Sequence, residues 1–263
     1  MIKKILFIIL VMFITGAFNE AYAEVKIDDA NSGNGVVGVS YSSNSGKKIK
    51  VMIQKDSTKY TYNLKPDGAV EKFPLQMGDG KYKVSVLENT SGTKYSYLDT
   101  KTIDVELKNP NVVFLNSIQN IKWDNNLNSI KKGKELSGEQ KEHDKKLSTL
   151  YSYIIKNVTY DYDKIPYLTT DYNPNIEQTY RDKKGICYDY SSLLAGMQRS
   201  QGLPTKLVKG YAKGVDGYHA WNEVLIGGKW VVVDSTFDAA MWGGKISQKM
   251  IKSANDYTKV NEY

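Results

Sequence analysis

The chain has 263 residues, 41% of them hydrophobic and 25% charged, with a formal net charge of +7. That is enough apolar sequence for one large domain or two small ones, and it excludes both disorder and fibrous repeat. A basic chain is drawn to anionic surfaces. Here the Lys and Arg residues are scattered, with no dense arginine–aromatic patch, which argues against nucleic acid as a partner.

The N-terminus reads as a secretory signal peptide. Lys3 and Lys4 form a basic start, Ile5 to Phe13 is an unbroken apolar run, and Ala21-Tyr22-Ala23 supplies the small-x-small pattern before Glu24. The run is short for a bilayer span. The expectation is therefore cleavage after Ala23 and a soluble, extracellular protein with no membrane partner once the signal, residues 1–23, is removed. Lys3, Lys4 and Glu20 leave with it, so the mature chain carries about +6. The basic charge suits an anionic cell-wall polymer as partner, and the protein is expected to be secreted, free or associated with the wall. There is one cysteine, Cys187. A secreted chain with a single thiol has no internal disulfide framework, so that thiol is either inert and buried or chemically useful.

From Val25 to Leu107 the sequence alternates and turns often. Val36 to Tyr41, Lys48 to Ile53, Lys59 to Leu64, Lys81 to Leu87 and Lys94 to Val105 read as strands. Ser43-Asn44-Ser45-Gly46, Pro66-Asp67-Gly68, Gly78-Asp79-Gly80 and Thr90-Ser91-Gly92 supply the turns between them. This predicts an immunoglobulin-like β-sandwich over residues 24–108. It holds no cysteine, histidine or tryptophan and shows no chemistry of its own. A polar connector rich in Asn and Lys is expected at 109–136, and a second domain at 137–263.

That second domain is expected to open with a helix. Ser137 and Gln140 form a plausible capping box, and Leu147, Leu150, Tyr151, Ile154, Ile155 and Val158 recur at helical spacing. Residues 163–184, with Pro166, Pro174 and many tyrosines, read as a loop. Tyr190, Leu193, Leu194 and Met197 mark another helix, stopped by Gly202 and Pro204. Thr205 to Ala212, Ala220 to Ile226 and Trp230 to Val233 read as strands, the last two joined by Gly227-Gly228, a hairpin signal.

The chemistry gathers here. Cys187 opens a helix, where the backbone dipole and free N–H groups favour thiolate, the nucleophilic form. Gly185, just before it, would permit a tight turn and close approach of a substrate backbone. A thiol nucleophile needs an imidazole to take its proton and later protonate the leaving amine. His219, at the start of a strand, is the candidate. The imidazole in turn needs an acceptor to hold its tautomer, and Asp234 stands where the apolar run Trp230 to Val233 ends. Trp221 and Trp230 read as hairpin core. His143, within Lys141-Glu142-His143-Asp144, reads as a solvated helix face. One cysteine and two distant histidines match no zinc spacing, and no nucleotide loop or G-x-S-x-G is present. No cofactor or metal is expected.

Parity ties the histidine to the aspartate. If Gly227-Gly228 is a two-residue loop, Ile226 faces Lys229 and Trp221 faces Asp234. His219 and Asp234 then share a sheet face as diagonal neighbours, with Cβ atoms roughly 6–7 Å apart. A slip of one residue would turn Asp234 away. Asp238 and Glu223 are the carboxylates that could then hold the ring instead. The second ring nitrogen should point to the Cys187 sulfur.

Three blocks taken in order resemble the transglutaminase-like family of the wider papain-like cysteine enzymes. They are Gly-Ile-Cys187-Tyr-Asp-Tyr-Ser-Ser-Leu-Leu, then Gly202-Leu-Pro-Thr-Lys-Leu-Val-Lys-Gly-Tyr211, then His219-Ala-Trp-Asn-Glu-Val through Trp230-Val-Val-Val-Asp234-Ser-Thr. Ile155 to Asp161 is similar to the family's entry segment, so the resemblance spans about residues 140–240. It implies an α+β catalytic domain in which Cys187 is nucleophile, His219 base and then acid, and Asp234 the group that orients His219. It also implies a thioester intermediate formed from an amide of a protein or wall peptide. Water as acceptor gives hydrolysis, the favoured outcome; an amine gives protein crosslinking. A non-catalytic wall or adhesion protein is the remaining alternative. For the oxyanion, the Cys187 N–H is one expected donor, with Gln178, Tyr180 and Tyr160 as candidates for the second.

Overall fold

The computed structural model describes residues 24–241 and 249–263. The predicted signal peptide lies outside the described residues. The first part of the chain forms β1 (Val25–Asp28), β2 (Val36–Tyr41), β3 (Ile49–Lys55), β4 (Thr58–Leu64), β5 (Glu71–Pro74), β6 (Gly80–Ser91) and β7 (Lys94–Val105). They make two antiparallel sheets, β1-β2-β5 and β4-β3-β6-β7. Alternation decides which face is inside. On β3, Ile49, Val51 and Ile53 are buried while Lys50 and Met52 between them are only half-buried. Val37, Val39, Phe73, Tyr82, Val84 and Val86 join them in one apolar core shared by both sheets. The short β1 and β5 escape the sequence reading. Four residues give too little alternation to see, and Pro74 ends β5 because it has no N–H for the ladder.

The stretch expected as a polar connector contains a packed helix, α1 (Asn128–Ser137), with Ile130 fully buried. Before it, Ile118 and Ile121 pair across a tight turn and are buried too. Ser137 therefore closes α1 rather than opening the next helix, its hydroxyl donating to Gly133 O and Gln201 Oε1. The helix predicted from Leu147 to Ile155 is α2 (His143–Asn157), which starts later than the expected box. His143 is exposed, as a residue on a solvated face should be.

Beyond α2 come β8 (Thr159–Tyr160), α3 (Ile176–Asp182), β9 (Lys184–Gly185), α4 (Cys187–Arg199), β10 (Thr205–Ala212), β11 (His219–Ile226), β12 (Lys229–Val233), α5 (Ser235–Met241), β13 (Ile251–Lys252) and β14 (Tyr257–Glu262). The region expected as a loop thus holds α3, whose start is fixed by Asn175 accepting the Gln178 N–H. The last five strands form one antiparallel sheet in the order β13-β12-β11-β10-β14. Ile130, Leu147, Leu150, Ile154, Leu193, Leu194, Met197, Val224 and Val233 form the core between helices and sheet. Each such side chain contributes roughly 1.5–3 kcal/mol on burial. Among the described residues no helix is long and apolar enough to cross a membrane.

The two halves meet through specific contacts. Arg199, at the end of α4 and 2% exposed, donates to Thr205 O, Asn116 O and Tyr263 O. The Tyr263 ring lies edge-on to Tyr60 and Tyr62 of the N-terminal sheets. Gln76 donates to Glu262 O and Gln119 to Asn63 O, so polar bonds complete the junction.

Candidate active site

Cys187 is the first residue of α4 and is half-buried. The close approach that brings the chain into this helix has a definite cause. A Cβ on Gly185 would lie 2.7 Å from the Asp189 Cβ, so only glycine leaves room there. That space, which the sequence would assign to an approaching substrate backbone, is filled by Asp189. Gly185 also lacks the left-handed backbone that a tight turn would demand.

Asp189 is completely buried. Its Oδ2 accepts the Ile186 N–H at 2.9 Å and the Lys164 ammonium at 2.8 Å, and its Oδ1 accepts the Tyr172 hydroxyl. One carboxylate thus caps α4 and ties it to the tyrosine-rich segment that follows Tyr160. It was not singled out from sequence. The signal available was an acid three residues into the helix from Ile186.

His219 and Asp234 meet as the parity argument requires. Gly227 and Gly228 take positive φ (56° and 77°) and close the two-residue turn, with Ile226 opposite Lys229. Pairing runs to Asn222 opposite Val233 and then Asp234 leaves the strand. His219 Nε2 lies 2.7 Å from Asp234 Oδ2. The other carboxylate oxygen, Oδ1, accepts the Phe237 N–H at 3.0 Å, so Asp234 also caps α5. Asp234 thus serves both the imidazole and the first turn of α5. Asp238 is engaged elsewhere, with Tyr151 and Lys252, and Glu223 with Lys259.

A third group holds Asp234 that the sequence reading missed. Tyr257, from β14, donates its hydroxyl to Oδ2 at 3.1 Å. It lies 23 residues along the chain, beyond the three blocks, and nothing local marks it. Trp221 stacks on the imidazole, ring centroids 6.3 Å apart and planes 25° from parallel. It is hairpin core, as expected, and also the floor under His219. Trp230 is half-buried and meets Phe114 edge-on.

With Nε2 taken by Asp234, the imidazole bond to the Cys187 thiol falls to Nδ1. Burial disfavours the charged ring, but the bonds to Asp234 and Cys187 outweigh it and raise His219 to about 10. At neutral pH the ring is imidazolium, which stabilises thiolate beside it.

The oxyanion candidates separate. The Tyr160 hydroxyl lies against the Cys187 main-chain N–H, and burial together with the nearby thiol pushes it up to about 12, so it stays a protonated donor. Gln178 is exposed and bonded to Asp182, and Tyr180 lies under the Lys183 ammonium. Neither is joined to the thiol. Among the described residues no cluster of His, Cys, Asp and Glu could hold a metal ion.

Residues 131–235 match the family model described as the transglutaminase-like superfamily. Through that segment the chain is similar to this superfamily. No curated protein matches the chain. Among solved structures it is similar to "a Putative Cysteine Protease from Cytophaga hutchinsonii", at 18% identity and TM-score 0.47, covering 82% of this chain and 81% of that one. The periplasmic domain of TgpA from Pseudomonas aeruginosa is similar at 13% identity and TM-score 0.41, covering 83% of this chain and 94% of that one. Red sea bream transglutaminase is similar at 12% identity and TM-score 0.33, covering 76% of this chain but only 48% of that one.

Proposed function

We propose that the protein is a secreted thiol hydrolase that cleaves amide bonds of proteins or cell-wall peptides. The observation that carries this reading is the chain of bonds from Asp234 through the His219 ring to the Cys187 thiol. The Cys187 thiolate attacks the amide carbonyl, forming the C–S bond. The oxyanion is met by the Cys187 N–H and the Tyr160 hydroxyl. The imidazolium gives its proton to the departing amine, which leaves a thioester. The neutral imidazole then takes a proton from water, which attacks the thioester and releases the carboxylate product. Asp234 keeps the ring aimed throughout.

The N-terminal sheets fit an immunoglobulin-like sandwich. The orders β1-β2-β5 and β4-β3-β6-β7 around one core support that reading. The basic residues and the signal-like start support export and association with an anionic wall polymer.

The test is to incubate the protein with unfolded glutamine-containing proteins and a labelled primary amine, beside Cys187→Ala. New chain termini that depend on Cys187 are expected. Amine incorporation without cleavage would make the enzyme a transferase. Neither product, over a broad substrate panel, would leave the domain as a scaffold.

A further inference from the structure

Lys209 lies in the site, and the mechanism does not use it. It sits on β10 opposite Ala220, the pair next to Gly210–His219. Its ammonium lies 3.4 Å from the centroid of the Tyr188 ring, the residue after the nucleophile, and 5.5 Å from that of Tyr263. The side chain is half-buried, and its charge is felt by the Cys187 thiol.

Other half-buried lysines on aromatic faces show what is missing. Lys206, on the same strand, lies over Phe114 and Trp230 and also binds Glu262 at 3.0 Å. Lys164 lies over Tyr172 and binds Asp189. Lys183 lies over Tyr180 and donates to the Tyr153 hydroxyl; Lys50 lies over Tyr95 and donates to Asn63. Each has rings and an oxygen acceptor. Lys209 has the rings alone: among the described residues it pairs with no aspartate or glutamate and donates to no oxygen. An ammonium stripped of part of its water, and given only a π face, still lacks its best partner. Burial pulls it down to about 8, the mark of that incomplete solvation. No hydrogen bond joins it to Cys187 or His219, so it takes no part in proton transfer.

We propose that Lys209 is an anion seat beside the Cys187 thiol, selecting substrates that carry a carboxylate next to the attacked amide. The substrate class is an acidic peptide, its carboxylate completing for Lys209 the arrangement Glu262 completes for Lys206. This rests on Cys187 being the nucleophile.

The test uses two alkylating reagents of nearly equal size, iodoacetate and iodoacetamide. In both, the thiolate displaces iodide and forms a C–S bond; only iodoacetate carries a carboxylate. The quantity read is the ratio of their rates at Cys187, so changes in thiolate content cancel. In Lys209→Met the iodoacetate-to-iodoacetamide ratio should fall about two- to fivefold, as for loss of a partly exposed charge pair. In Lys209→Arg it should be retained. Lys209→Gln gives the same uncharged comparison if methionine is not accommodated, and thermal melts establish that each variant is folded. A folded Lys209→Met or Lys209→Gln with the wild-type ratio overturns the anion seat while leaving the thiol enzyme intact. A Cys187 that reacts with neither reagent in the folded wild type overturns the underlying enzymatic reading.

Discussion

The reactive centre depends on a single imidazole held between a carboxylate and a thiol. Because His219 is raised to about 10, its proton stays on the ring through neutral pH, and an imidazolium beside a thiol favours the thiolate form. The iodoacetamide rate of Cys187 should therefore be near its plateau already at neutral pH. In His219→Ala the midpoint of that pH–rate curve should rise to about 8.5, the value of a free thiol. A wild-type curve with its midpoint in that higher range would mean that the ring does not hold the thiolate. Asp234→Asn removes the carboxylate that supports the imidazolium but can still cap α5 through its amide oxygen. Its His219 resonances should titrate at lower pH than in the wild type.

Helix α4 owes its position to groups at both ends and along its flank. Asp189 at its start serves Ile186 N–H, Lys164 and Tyr172 together. Asp189→Ala leaves a half-buried ammonium and a buried N–H without their acceptor, and should lower urea stability by about 3–5 kcal/mol. An unchanged transition midpoint would show that the cluster is dispensable. Across the sheet, Gly210 lies so close to β14 that a Cβ there would be 2.0 Å from Thr258 O. Gly210→Ala should force β14 off β10, carrying Tyr257 away from Asp234. The readout is faster amide exchange in Tyr257–Glu262, together with a change in the His219 titration.

At the scale of the whole molecule, the junction of the two halves converges on Arg199 and Tyr263. One buried guanidinium satisfies carbonyls from the stretch before α1, from β10 and from the C-terminal segment. Arg199→Met should cost about 1–3 kcal/mol by removing the guanidinium donor from Asn116 O and Thr205 O, seen as a lower urea midpoint. The pH dependence of stability also belongs here. The folded His219 value lies above the unfolded one of 6.5. Its contribution is therefore complete below 6.5 and is lost as pH rises toward about 10. The Tm gap between the wild type and His219→Gln should narrow over that window. A gap that widens with pH would contradict the bonded imidazolium.

The amino-acid sequence alone carried the hairpin register, the helix that Cys187 opens and the meeting of His219 with Asp234. Period-two alternation, a Gly-Gly turn and a helical stripe are local, and parity then places side chains without further information. The sequence did not disclose Tyr257, Lys209, Asp189 or the packed helix Asn128–Ser137. Tyr257 reaches Asp234 only because β14 returns to the far edge of β10. Lys209 stands beside the thiol only because β10 pairs with β11 while α4 covers them. Helix α1 has a weakly apolar sequence, and Ile130 is buried through its neighbours α2 and α4 rather than by its own stripe. Short-range pattern governs which residues face one another across a turn. Which distant groups surround a buried charge is decided by long-range strand order and helix packing, and these leave no period in the chain.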